Sequence, residues 1–340
     1  MQGSRRFSAE ERAGNLDYAG QIILNQTLVI GSTVVDVIIR LPHLPSPGED
    51  ININFPLHRL GGCAYNVFET LKFLESPALL CSPVGTGIYG RMVREGLEEQ
   101  GLKPLVNLEE ENGCCYCLIE SDGERSFLSC HGAEYHFNRS WMKDLDLPGA
   151  GSIYISGIDV EDPTGTEIAE FIYEHPDLAV FFAPGPRIMH IDSQLMEKIL
   201  DRRGSNGKGP FLHLNEKEAC AFSGRNSLEE AAWFLAKATD NALVITLGEK
   251  GCYCYDNNEE VPGRFIEGFP VKAVDTTGAG DVHCGVIIAE LKLGKSLAEA
   301  CTSANRIGSA AAGTQGYILK KELIVDDEIT AHELGADKVL

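Results

Sequence analysis

The feature that most constrains this chain is an alternation of short apolar runs, rich in β-branched residues, with stretches whose apolar positions fall at helical spacing. Gly151 to Ile158, Leu178 to Phe182, Phe211 to Leu214 and Ala242 to Thr246 are the runs. Between them lie Gly165 to Glu174, Gln194 to Arg202 and Ser227 to Thr239, which read as helices. Strands that are apolar on both faces and separated by helices belong to a mostly parallel sheet covered on each side. The pattern begins with Thr27 to Ile39, a buried run broken at Gly31-Ser32. A helix follows from Gly61-Gly62 through Leu74, then apolar Ala78 to Val84 and a helix from about Tyr89 to Gln100. It closes with a β segment from Gly251 to Phe269 and two helices, Gly280 to Leu293 and Ser296 to Ala311. The expected fold class is α/β, a central sheet flanked by helices.

Two stretches break this pattern. Pro42, Pro45, Pro47 and Gly48 force turns, and Ile51 to Phe55 then alternates apolar and polar, predicting a strand with one wet face. Cys114 to Glu120 and Glu124 to Cys130 flank Ser121-Asp122-Gly123, a hairpin signal. Residues of about 36–60 and 112–133 are therefore expected to form a small second sheet, a lid inserted into one domain spanning 26–340. Exposed edges in such a lid are candidates for pairing two copies. Residues 1–25 read as a loosely ordered extension. They carry charged and polar residues with no apolar run like a secretory signal, and no stretch has the ~18 apolar residues of a membrane span, so the cytoplasm is the default. The formal charge of −21 argues against nucleic acid and anionic membranes as partners. It leaves a phosphorylated small molecule open, because a few local amides or cations outweigh a distant acidic surface.

Several motifs invite readings that their context does not support. Cys114 and Cys117 form C-x-x-C, with Cys130-His131 on the next strand, but a strand sends neighbouring side chains to opposite faces and no second pair completes four zinc ligands. Reduced thiols are expected. Gly85-Thr-Gly87-Ile-Tyr-Gly90 is a formal G-x-G-x-x-G, yet it does not lie in the first βαβ unit. Gly294-Lys295-Ser296 resembles the end of a P-loop, but position 289 is Ala, so it reads as a helix break.

The segment Asp275-Thr276-Thr277-Gly278-Ala279-Gly280-Asp281 carries the chemistry. Its small residues let backbone amides converge, and Val286, Ile287, Ile288 and Leu291 continue it as a helix. Amides at a helix N-terminus attract anions. Asp281 could simply cap that helix, but two acids flanking a Gly-Ala-Gly turn also suit a general base beside an oxyanion hole.

This segment resembles the signature of the ribokinase-like (PfkB) carbohydrate kinases, and other motifs follow in that family's order. They are Val29-Ile30-Gly31-Ser32 with Asp36, Gly61-Gly62-Cys-Ala-Tyr-Asn66, Asn215-Glu216-Lys217-Glu218, Thr246-Leu247-Gly248-Glu-Lys-Gly251, and Ala304-Asn305. The resemblance implies an ATP-dependent kinase for a hydroxyl, expected to be a hydroxymethyl, of a sugar or sugar-like molecule. Asp36, Gly62 and Asn66 would hold substrate hydroxyls. Asn215 and Glu218 would organise Mg²⁺ and its waters, while Thr246, Gly248, Gly251 and Asn305 would line the nucleotide site. The amides of Gly278, Ala279 and Gly280 would receive the γ-phosphoryl, with Asp281 as the base. A monovalent cation such as K⁺ would sit near Asp275 and Thr277. A nucleoside kinase, including one for pseudouridine, shares this architecture, and a non-catalytic ligand sensor is the reading from outside enzymology. Ribokinases proper carry Asn where this chain has Val34, and Lys where it has Cys63. Two polar contacts to a pentose are thereby lost, which disfavours ribose. His283 and Val286 stand where an aromatic and a small residue are usual. Arg187 reads as a solvated turn residue that could also face an acidic or phosphorylated substrate.

Overall fold

The computed structural model describes residues 26–121, 124–143, 145, 149–161, 164–200 and 208–314. The expected extension at 1–25 and the Asp122-Gly123 turn lie outside them. In chain order the first half contains β1 (Gln26–Ile30), β2 (Val34–Arg40), β3 (Leu57–Gly61), α1 (Cys63–Phe73), β4 (Ala78–Cys81), β5 (Val84–Thr86), α2 (Gly87–Glu99), β6 (Asn107–Glu111), β7 (Cys114–Ile119) and β8 (Arg125–Cys130). The second half contains β9 (Ala150–Ser156), α3 (Gly157–Glu161), α4 (Gly165–Glu174), β10 (Ala179–Ala183), α5 (Ser193–Leu200), β11 (Phe211–Asn215) and α6 (Glu216–Ser223). It continues through α7 (Leu228–Thr239), β12 (Leu243–Thr246), β13 (Gly251–Tyr255), β14 (Gly263–Glu267), α8 (Ala279–Lys292) and α9 (Leu297–Ala312).

The main sheet has eight strands in the order β14-β13-β12-β11-β10-β9-β1-β4. Its pairs are parallel from β4 to β12, and only β13 and β14 add antiparallel pairings at one edge. Strand alternation then divides the core. Val29, Tyr154, Phe181, Phe211 and Val244 point to the side covered by α1, α8 and α9. Leu28, Ile30, Ile153, Ile155, Phe182, Leu212 and Ile245 point to the side covered by α4, α5 and α7. Every residue of α8 from Val282 to Ala289 is buried, as befits a helix enclosed by protein all round. Gly285 makes this possible, since a Cβ there would stand 2.8 Å from Thr70 of α1.

The lid forms as a separate four-stranded sheet, β3-β2-β7-β8. The buried run beginning at Thr27 is thus two strands in two sheets, divided at Gly31. The lid differs from expectation in one piece. Residues 51–56 form no strand, and Phe55 is fully exposed. The β2 edge is instead taken by β3, from Val34↔Gly61 to Ile38↔Leu57, so the alternating Ile51 to Phe55 segment pairs with no strand among the described residues. A second departure is β6, which pairs with β5 as a small two-stranded sheet.

The formal glycine motif at Gly85 lies at a strand–helix junction, but the Gly85 N–H donates to Asn112 Oδ1 at 2.9 Å rather than facing a ligand. Gly294 is the turn between α8 and α9, with φ of 80°, and Ser296 caps α9 in a capping box with Glu299. All eleven cysteines are free, and Cys114 and Cys117 of the C-x-x-C face opposite sides of the lid, Cys114 among the main core residues and Cys117 against Ile38.

Candidate active site

In open α/β sheets, ligands sit beyond the carboxyl ends of the parallel strands. On that edge here lie Ser32 after β1, Gly157 after β9, Asn215 ending β11 and Thr246 ending β12. The head of α8 meets the same edge.

Gly278 precedes α8 with φ of 77°, a left-handed conformation that glycine adopts at little cost. The N–H groups of a first helical turn have no acceptor within the helix. A Cβ placed on Gly280 would meet no atom within 4 Å, so the turn opens onto space rather than packed protein. Asp281 stands in this first turn, where Asn66 Nδ2 donates to its Oδ2 at 2.7 Å. Burial pushes its carboxyl up to about 7, against the lowering effect of hydrogen bonds from Asn66 and the Cys63 thiol; the carboxylates of Asp36 and Asp159 push it further. Burial and the neighbouring Asp281 hold the Cys63 thiol well above its usual range, so it stays a neutral donor beside the acid.

The residues expected to hold hydroxyls gather around Asp281. Asn66 reaches it directly from α1. Asp36, on β2 of the lid, is buried and held by Arg59 Nε at 3.4 Å. Burial raises its carboxyl despite Arg59. Glycines bring these parts together: a Cβ at Gly61 would lie 2.3 Å from Asp36 Oδ2, and one at Gly62, whose φ is 100°, would lie 2.7 Å from the Ser32 carbonyl.

On the other side of the Gly-Ala-Gly turn lies a cleft of about 530 Å³. Its lining brings together Thr246, Gly248, Gly251, Ala279, Gly280 and Asn305, which are spread over sixty residues of sequence. A second hollow of about 670 Å³ beside Arg94 and Lys103 shares none of these lining residues. Asn305 lines the cleft, yet its amide is engaged. Nδ2 donates to the Ile266 and Glu267 carbonyls, both at 3.0 Å, and Oδ1 faces His283 Nε2 at 3.0 Å. His283 in turn meets His213 at 2.9 Å, a buried chain tying α8 to β11 and α9. Asn215, the register partner of Thr246, forms a capping box with Glu218 at the head of α6. Burial raises the Glu218 carboxyl although Asn215 donates to both its oxygens, at 2.6 and 3.0 Å.

Asp275 is buried and accepts the Thr277 N–H at 3.0 Å, while the buried Thr277 hydroxyl oxygen has no hydrogen-bond partner. Arg187 is taken up by Glu161 through a two-pronged contact, which leaves it tied to α3.

Two further residues belong to this neighbourhood. Asp159 accepts from Ser32 N at 2.9 Å and Ser156 Oγ at 2.6 Å, and its carboxyl is raised to about 6 by burial. It fixes the point where the chain leaves the main sheet, since a Cβ on Gly31 would strike Asp159 Oδ2. An acid three residues past the carboxyl end of a buried strand is the signal that marks it in the sequence. Arg125 of β8 donates to Thr276 Oγ1, so the lid touches the loop that leads into α8. Nothing in the sequence indicated that contact, because it joins positions 151 residues apart.

An anion-receptive turn beside an acid, between a lidded pocket and a second cleft, is the layout of an enzyme that moves a phosphoryl group onto an alcohol. The chain belongs to the pfkB family carbohydrate kinases, whose model matches residues 25–322. It is 34% identical over 294 residues to the uncharacterized sugar kinase YegV of Escherichia coli (strain K12), covering 85% of this chain and 89% of that one. Ribokinase of Haemophilus influenzae is 26% identical, with 84% and 90% covered. The crystal structure of ribokinase from Thermotoga maritima superposes with a TM-score of 0.73 at 23% identity, covering 88% of this chain and 97% of the other. Among the described residues no helix is long and apolar enough to cross a membrane.

Proposed function

We propose that the protein transfers the γ-phosphoryl of ATP to a hydroxymethyl group of a sugar, with Asp281 as the base. The observation that supports this best is the position of Asp281: its carboxyl, raised to about 7, stands at the open head of α8, between the Asp36 and Asn66 pocket and the nucleotide-sized cleft. The volume suits a small-molecule site, for which about 300–1,000 Å³ is usual. The sugar hydroxyl is held by Asp36, Asn66 and the backbone at Gly62. Asp281 takes its proton as the oxygen attacks phosphorus, and the ADP oxygen leaves in line. Negative charge on the transferring group is met by the amides of Gly278, Ala279 and Gly280.

Thr246, Gly248 and Gly251 shape the nucleotide side, and Asn305 supports that wall through its bonds to β14. Asn215 and Glu218 would hold Mg²⁺ through its water shell; a carboxyl raised by burial is one that a nearby cation would draw back into its charged form. When bound, Mg²⁺ neutralises phosphate charge. The partnerless Thr277 hydroxyl beside Asp275 suits a monovalent cation such as K⁺. The open edges of β3 and β8 suit pairing of two lids.

The decisive measurement is ADP release across pentoses, hexoses, sugar acids, sugar phosphates and nucleosides with Mg²⁺, with and without K⁺. A response to free sugars supports the proposal. A response confined to nucleosides replaces it with a nucleoside kinase, and none at all, with ATP still bound, favours a ligand sensor.

A further inference from the structure

The parallel pairing of β2 with β7 places Asp36 beside Cys115, with Cys117 next along the same face. Asp36 and Cys117 are buried, Cys115 is half-buried, and one ligand atom from each lies within 4.8 Å of the others. The two sulfurs are 3.9 Å apart. Two thiolates on one tetrahedral zinc, with Zn–S bonds of about 2.3 Å, stand about 3.8 Å apart. The strand therefore holds both sulfurs near bonding separation before any ion arrives. This pair is distinct from the C-x-x-C pair Cys114 and Cys117, whose side chains face away from each other.

We infer that Asp36, Cys115 and Cys117 form a binding site for a thiophilic divalent cation, Zn²⁺ being the probe, and that its occupation withdraws Asp36 from the acceptor pocket. Charge bookkeeping favours it. Without the ion, Asp36 is paired with Arg59 at 3.4 Å. Binding forms two Zn–S bonds and one Zn–O bond and releases both thiol protons, so Zn²⁺ replaces 2 H⁺ and the net charge of the group is unchanged. Around it stand Arg59 of β3 and Ser129 of β8, whose hydroxyl lies 4.0 Å from Cys115 Sγ on an exposed strand position that gives access. The second half of the inference rests on Asp36 being the acceptor contact proposed above; the first half does not.

The test is zinc titration of the metal-free full-length protein against a chromophoric chelator, with cobalt(II) absorption as a second reading. The parent should bind one zinc tightly with release of two protons, and cobalt should give a thiolate charge-transfer band. Cys115→Ser/Cys117→Ser should lose more than about 100-fold in affinity together with the band, since even indirect supports of a metal site contribute about 10–100-fold. Cys114→Ser/Cys130→Ser should change neither. Asp36→Asn, a smaller perturbation of the lid, should weaken zinc while keeping the band. Unchanged affinity in either the double serine variant or Asp36→Asn overturns the site. Zinc that binds through these residues and raises the apparent KM for the acceptor supports both halves. Zinc that binds there without raising it leaves the site standing and removes Asp36 from the acceptor pocket.

Discussion

At the residue scale, the proposed role of Asp281 as base makes its environment set the pH dependence of turnover. A general base acts in its deprotonated form, and its raised carboxyl puts half-ionisation at about 7. Turnover should therefore fall as pH drops through about 7, seen as an acid limb in kcat against pH; a limb near the ordinary carboxylate range would contradict this. Cys63 contributes, because a neutral thiol stands where ribokinases carry a lysine. Cys63→Lys should move the acid limb to lower pH, as an opposite charge favours the ionised carboxyl. Asp281→Asn should lower turnover by about 10²–10⁴-fold while ATP affinity stays close to the parent's. The same variant should melt at higher temperature at neutral pH. A carboxyl that titrates higher when folded than unfolded adds its stability only below the unfolded value, and that contribution is lost as pH rises through about 7. Removing the charge should restore on the order of a few kcal/mol, and the gain should vanish near pH 4.

At the scale of elements, α1 and α8 form the frame on which Asp281 and Asn66 are mounted, and Gly285 sets their separation. Gly285→Val would force a side chain into Thr70, with overpacking costs of about 1–3 kcal/mol, visible as a lower denaturation midpoint. Lid and loop meet at Arg125. Arg125→Ala should loosen closure, raising the acceptor KM and the ratio of ATP hydrolysis to sugar phosphorylation; an unchanged ratio would show that this contact does not help exclude water. The helices and sheet strands were legible in the sequence because their periodicity is local: α4 falls on Gly165 to Glu174 as the spacing predicts. Ile51 to Phe55 misled because alternation describes a strand's faces without supplying its partner, and β3 had already taken the available edge. Within the site, Asp281 and the turn before it stood out because small residues between two acids are unusual in a helix start. Asp159 was marked only by its place just past a buried strand, whereas Arg125 and the Asp36 thiol neighbours were hidden, since each depends on sheet register or on chain segments far apart.

Seen as a whole, the molecule is a sheet-and-helix body with a small second sheet, whose first two strands leave it at Gly31 and return at Gly61-Gly62. Both junctions are pinned by acids, Asp159 at the first and Asp36 at the second, each too close to a glycine for any side chain to replace it. Asp281, Asn66, Asp36 and the lid therefore share one set of contacts, which is why motifs spread from Asp36 to Asn305 converge on one edge.

Asp36, Asp159 and Asp281 all carry carboxyls lifted by burial, in a pocket where Arg59 beside Asp36 is the cation in direct contact. Their oxygens are chiefly desolvated, and a hydroxyl-rich guest donating hydrogen bonds to them would offset that cost. Resistance to proteolysis should accordingly track sugar supply, with starved molecules cleared first and fed ones persisting.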